Sequence, residues 1–251
     1  MIPPLLLPDG MTEIVFAVLI FTSFAASFIT VAFGIGGGGI LLAVMATLVP
    51  PAALIPTHGV IQIGSNLGRA LLTFAHVYWP ALPAFAIGSV VGAAAGGAIV
   101  VSLPPAWVQI GVGGFVIWSV LSKPPKGLRD WPLLVGAISS FLTMFFGATG
   151  LFVATYTKSH KLPRHSHVAT HAALMTVQHG VKTIAFGLLG FAFAQWWAFI
   201  IAMICAGFIG TLAGKLMLNR IDDRRFRLAL DTILILLSVR LIYGGLRDLL
   251  W

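Results

Sequence analysis

One cysteine and seven acidic residues are all that this chain of 251 residues carries of two chemically important types. A lone Cys205 excludes an internal disulfide and any thiolate metal cluster, because both need more than one sulfur. Within Met203-Ile204-Cys205-Ala206-Gly207 it reads as a buried structural thiol. Only Asp231 among the carboxylates falls inside an apolar segment, four residues after Arg227, which suits a structural ion pair. Cation or proton sites built from carboxylates therefore have little to draw on. No catalytic triad, carboxylate pair or metal-ligand cluster supports an enzyme, and nothing calls for a cofactor or a metal.

Charge of either sign is scarce. Charged residues are 9% of the chain and hydrophobic residues 59%, with a mean hydropathy of +1.01. Several apolar runs reach the roughly 18 residues that a membrane-crossing helix needs, so the sequence predicts an all-α polytopic membrane protein in a lipid bilayer. The formal net charge of +8 does not indicate nucleic acid, because most Lys and Arg sit in short loops, where they report orientation. Asp9 and Glu13 precede the first apolar segment with no basic residue, so it reads as a retained membrane segment and not a cleaved signal.

Glycine is plentiful, and its placement is the strongest feature. Phe33-Gly34-Ile35-Gly36-Gly37-Gly38-Gly39 interrupts an apolar stretch running from about Ile14 to Val49. Consecutive glycines break a helix, and in lipid the uncovered backbone survives only where protein or a polar cavity lines it. A weaker copy stands at Phe146-Gly147-Ala148-Thr149-Gly150. Paired breaks at corresponding places in two halves point to a transporter's substrate site.

The two breaks belong to a repeat. An offset of 113 residues takes Phe33-Gly34 to Phe146-Gly147, Pro50 to Pro163, Thr57-His58 to Thr170-His171 and Arg69 to Lys182. With five further residues in the second half, Gly92 and Gly96 meet Gly210 and Gly214. The sequence thus divides into a stub (1–13), a first repeat (14–122), a basic cytoplasmic linker (123–130), a second repeat (131–247) and a short tail (248–251). Pro50-Pro51 and Pro56 mark a turn, and helices are expected to resume near Thr57 and, in the second repeat, near Val168. Small residues at four-residue spacing, Gly88, Gly92 and Gly96, suit close helix contact within the chain or between two chains of a homodimer.

The basic loops Lys123–Arg129, Lys158–Arg164 and Lys215–Arg225 should share the cytoplasmic side. Counting crossings back from them puts Pro50–Pro56 and both termini outside. Each half is a broken-helix hairpin plus three transmembrane helices, an odd number of net crossings, so the two repeats are expected to be inverted.

Beyond each break a helix restarts with unpartnered N–H groups and the positive end of its dipole. Inverted symmetry would bring the ends near Gly36, Gly37, Gly38 and Gly39, and near Gly147, Thr149 and Gly150, to one central anion site. The polar stripe Thr57, His58, Gln62, Asn66 and Arg69 follows helical spacing, with Thr170, His171, Gln178, His179 and Lys182 as its less regular counterpart. Ionisable residues inside a membrane segment are functional candidates. The plain alternatives are that the histidines are interfacial, and that Arg69 and Lys182 snorkel to opposite surfaces. An anionic substrate is favoured, and any proton coupling would use histidine. Exchange of Gly37 for Ala is expected to impair transport more than folding.

The glycine block, the following Pro50-Pro51, the Thr57-His58 helix and the duplicated layout resemble the sulfite exporter TauE/SafE family of membrane permeases, over about Ile14 to Tyr243. The resemblance implies plasma-membrane (bacterial inner membrane) transport of sulfite, sulfoacetate or other organosulfonates. Gly147-Ala148-Thr149-Gly150 departs from a full glycine block. Which anion is carried, its direction, coupling to protons or sodium, and oligomeric state stay open. Competing readings are a passive anion channel and a transporter of another small carboxylate or anion.

Overall fold

A computed structural model describes residues 7–8, 10–33, 36–100, 104–122, 130–147, 149–217 and 223–250. The break residues Gly34, Ile35 and Ala148, the basic stretch 123–129 and Arg220 with Asp222 lie outside the described residues, as do the side chains of Arg164, Arg224, Arg225 and Arg227. Among the described residues ten α-helices carry the fold: α1 (Glu13–Phe33), α2 (Gly37–Leu48), α3 (Pro51–Leu72), α4 (Leu82–Val100), α5 (Pro105–Leu121), α6 (Pro132–Phe146), α7 (Gly150–Ser159), α8 (Arg164–Leu188), α9 (Trp197–Met217) and α10 (Asp223–Leu250). Proline opens α3, α5 and α6, where its missing N–H is one of the helix's free donors anyway.

Two expected boundaries move. Pro56 does not mark a turn; α3 starts at Pro51 and runs through Pro56 in its second turn. α8 starts at Arg164, not near Val168. His58 and His171 therefore lie two turns inside their helices instead of at the starts. The helix breaks lie where the glycines stand, and Gly36 and Gly147 hold φ of +113° and +73° there, values that L side chains rarely adopt.

Helix length separates two kinds of element. Glu13–Val31, Trp79–Val100 and Trp197–Leu216 are long and apolar enough to cross a membrane. At 1.5 Å per residue α2 (12 residues) and α7 (10 residues) reach only about 18 and 15 Å, short of a hydrocarbon core of about 30 Å.

Helices pair across the two halves of the chain. α1 packs on α9 as α6 packs on α4, α3 contacts α9 as α8 contacts α4, and α3 faces α8 while α5 faces α10. The pairings survive exchange of α1–α5 for α6–α10. The glycines show the same correspondence in detail. A Cβ on Gly92 would strike the carbonyl of Ala137, and one on Gly210 the carbonyl of Phe24. Gly96 lies against Phe141 and Met144, and Gly214 against Phe28 and Val31. Each partner in α6 is again 113 residues beyond its counterpart in α1. These small-residue faces are therefore filled within the chain.

The polarity of the molecule is that of a membrane protein. Ile14, Phe21, Ile87, Val91, Leu133, Ile209 and Val239 stand outward and exposed, while Arg69, Gln178, His179 and Lys182 are buried. Apolar side chains on the rim and charged ones in the centre reverse the soluble pattern. Cys205 belongs to the rim: it is exposed on the outward side of α9, contrary to its expected burial. Its apolar neighbours in sequence mark a lipid-facing surface as readily as a core.

Candidate functional site

Both interruptions converge on the crossing of α3 and α8. α2 is capped by Gly36 and α7 by Thr149, neither through a side chain. The Gly39 N–H donates to the Gly36 carbonyl (3.1 Å) and Phe152 to that of Thr149 (3.0 Å). Among the described residues the N–H groups of Gly37 and Gly38, and of Gly150 and Leu151, have no partner. They are the free donors of two helix starts.

Each restart is tied down by a histidine from the following helix. His58 Nε2 donates to the Gly38 carbonyl (3.2 Å), and His171 Nε2 donates to the Gly150 carbonyl (3.0 Å). A carbonyl can only accept, so Nε2 bears the proton and the neutral ring keeps a bare Nδ1 acceptor. His58 Nδ1 is buried and has no partner. Neither histidine is a plain interfacial residue.

Around His58 the second half of α8 supplies further unsatisfied groups. The His179 ring stands edge-on to His58 with centroids 6.0 Å apart, and neither of its nitrogens has a hydrogen bond. Gln178 donates through Nε2 to Thr149 Oγ1, which leaves its buried Oε1 unpaired. Lys182 is 0% exposed, and its Nζ has no partner. Its place exists because Gly59 lacks a side chain: a Cβ there would sit 2.7 Å from Lys182 Cε and 3.4 Å from Nζ. Thr183 Oγ1, also unpaired, lies 3.3 Å from that position. One lysine and four hydrogen-bonding side chains thus face one another across α3 and α8 without satisfying one another. Buried polar groups normally find partners, so a cluster of orphans marks a place built for something else.

The counterpart at the second break is differently satisfied. Ala70 packs against Ala169, Ala172 and Ala173, which sets Arg69 beside His171. Arg69 is 5% exposed and donates through Nη1 to Asn66 Oδ1 (3.2 Å) and through Nη2 to Ser65 Oγ (3.4 Å). Asn66 Nδ2 donates to the Gln62 carbonyl (2.8 Å), and Ser65 Oγ lies 3.2 Å from Ser27 Oγ. Only Nε is left over. Neither Arg69 nor Lys182 snorkels; both are buried at the helix crossing, and no carboxylate pairs with either among the described residues.

The predicted glycines separate into roles. Gly38 lies under the Gln62 amide and bonds His58 through its carbonyl. A Cβ on Gly150 would make ordinary contact with Met175 (3.7 Å) and His171 (3.8 Å). Gly36 and Gly147 supply backbone conformation, and Gly147 also abuts Leu42 and Ile55. Gly39 points to Leu234 of α10. Gly37 is pressed against the Ala26 carbonyl and the Thr30 hydroxyl of α1, so its exchange for Ala disturbs packing and does not separate binding from folding.

Two contributors, Ser65 and Thr183, were not singled out by the sequence. Ser65 lies four residues before Arg69 on the same face, a spacing that could have revealed it. Thr183 adjoins Lys182 but gave no signal, since its neighbour Gly59 comes from the other half of the chain. At the far end of the crossing the His76 ring lies 5.6 Å from His165, and the Tyr78 N–H donates to Thr170 Oγ1 (2.9 Å). That end-to-end contact makes α3 and α8 antiparallel along their length.

The family profile described as Sulfite exporter TauE/SafE matches residues 19–241. The chain belongs to the TauE/SafE family. The match spans both glycine breaks and both polar helices, nearly the whole chain. Neither curated proteins nor solved structures gave a match. As a TauE/SafE protein the chain is a membrane permease, and its α3/α8 crossing is the place to look for what it carries.

Proposed function

We propose that this TauE/SafE protein is an ion-coupled secondary transporter of small sulfur-containing anions, sulfite or organosulfonates, and not an enzyme. The substrate binds at the α3/α8 crossing, where the repeats, inverted across the plasma membrane, alternate access to either side. The observation that carries this reading is Lys182: a buried ammonium with no carboxylate among the described residues, in a cluster of orphaned polar groups where α3 crosses α8. Charge buried without a partner is strongly unfavourable, and a bound oxyanion would supply both the counter-charge and the acceptors. The Gly38 N–H, the Lys182 ammonium and the Thr183 hydroxyl are suited to sulfonate oxygens. Arg69, held by Ser65 and Asn66, adds positive charge from the other side.

Thermal stabilisation of the detergent-purified protein by a panel of anions tests the reading. Ligands that bind only the folded state raise its midpoint by mass action. Sulfite or methanesulfonate should raise it, chloride should not, and Lys182→Ala should abolish the shift. Stabilisation by a cation or an amine instead would reverse the sign assigned to the site. Saturable transport driven uphill by an ion gradient distinguishes the transporter from a passive anion channel.

A further inference from the structure

His179 is the one histidine at the crossing with nothing to do. His58 and His171 each hold a carbonyl of a restarting helix. His179 is fully buried, and both ring nitrogens lack partners. A neutral imidazole has one N–H donor and one bare acceptor, so an unpartnered ring leaves both unsatisfied, whichever tautomer it adopts. We infer that His179 carries the coupling proton: it takes up one proton as the anion binds beside Lys182 and releases it when the anion leaves. The inference rests on the anion-site reading above.

The surroundings favour linked arrival. The groups of either charge near His179 are few. Its own helix brings Lys182 and His171, and α3 brings His58, edge-on at 6.0 Å, with Arg69 further along. α4 and α6, which also pack on α8, contain no titratable residue, and α7 adds only Tyr156 and Lys158 toward its far end. None of α3, α4, α6, α7 and α8 carries a carboxylate to balance an imidazolium here, and Lys182 repels it. An anion lodged between them attracts both charges at once. The imidazolium gains a second N–H, so both ring nitrogens become donors to the anion's oxygens. Proton and monoanion then move together without net charge. Sodium is disfavoured beside the Lys182 charge, since none of α3, α4, α6, α7 and α8 carries a carboxylate to offset it.

The experiment is proton uptake by the purified full-length protein in weakly buffered detergent near neutral pH, read with an indicator dye on adding methanesulfonate. This anion stays ionised throughout, so any proton taken up belongs to the protein. Binding is followed in parallel by thermal shift. Wild type should take up about one proton per bound anion by linkage, unchanged when sodium is replaced by a large organic cation. His179→Gln should bind methanesulfonate more weakly, with uptake per bound anion cut at least tenfold, and His165→Gln, exposed at the far end of α8, should retain uptake. Wild-type binding without proton uptake overturns the inference and leaves the anion site standing. So does uptake that persists in His179→Gln or disappears equally in His165→Gln. Should His179→Gln fail to fold, the same two measurements on His179→Asn decide. No binding of methanesulfonate to wild type sinks the sulfonate-site reading, and the coupling with it.

Discussion

At the scale of single residues, Lys182 sets binding against stability. Its ammonium is buried without a hydrogen bond, and Met has nearly the same length with nothing to satisfy. Lys182→Met should stabilise the ligand-free protein, by about 1–3 kcal/mol for removal of one unsatisfied buried group. It should also lose the response to sulfite and methanesulfonate. Paired melting curves with and without anion check both halves; an anion shift equal to wild type would remove Lys182 from the site. The break glycines give a second contrast. Gly37→Ala drives a methyl into the α1 backbone and should lower the melting midpoint, as overpacking costs about 1–3 kcal/mol. Gly39→Ala meets only Leu234 Cδ2 at 3.8 Å and should leave the midpoint unchanged or raise it, since alanine favours helix over glycine by about 1 kcal/mol. Much of this residue pattern was legible beforehand. The helical spacing of His58, Gln62, Asn66 and Arg69 identified a polar face because spacing is a local property. What Lys182 meets was not legible, because Gly59 and His58 reach it from a segment more than a hundred residues away. Gly37 and Cys205 were misjudged for a related reason: composition identifies an apolar neighbourhood but does not say whether protein or lipid fills it.

At the scale of elements, the repeat predicts matched energetics. Gly92 and Gly210 each let two helices touch backbone to backbone, α4 on α6 and α9 on α1. A methyl cannot be accommodated by rotating a side chain when the obstacle is a carbonyl, so helices must separate along their length. Gly92→Ala and Gly210→Ala should both destabilise, by about 1–3 kcal/mol each and with similar size. Gly114→Ala and Gly180→Ala, where nothing lies within 4 Å, should leave the midpoint unchanged or raise it and serve as controls. Midpoints in one detergent compare all four; a large loss at one of the first pair with none at the other would break the equivalence. The offset of 113 residues was readable in sequence, and so were both breaks, because identity at fixed spacing needs no structure. That the first helix of each half packs on the fourth helix of the other was not readable. Either arrangement, within halves or across them, would bury the same glycine faces.

For the whole molecule the arrangement of ends follows from one contact. His76 beside His165, with Tyr78 bonded to Thr170, puts the end of α3 together with the start of α8. α3 has 22 residues, about 33 Å of helix, so its start at Pro51 lies at the opposite end. The loop carrying Lys158 and Lys161 is basic, which predicts the cytoplasmic side for that end, and Ala52 should then face outward from the cell. Replacing the natural thiol (Cys205→Ser) and adding Ala52→Cys or Lys161→Cys, both exposed positions, makes this measurable. A membrane-impermeant maleimide applied to intact cells should label the Ala52→Cys protein directly and the Lys161→Cys protein only after permeabilisation. Because the second position follows the second break by the same topology that places the first after its own, opposite labelling is what inverted repeats require. Labelling of both from one side would mean that the halves run parallel. The two restarting helices would then point the same way through the bilayer, and their positive ends could not face one shared anion from opposite sides.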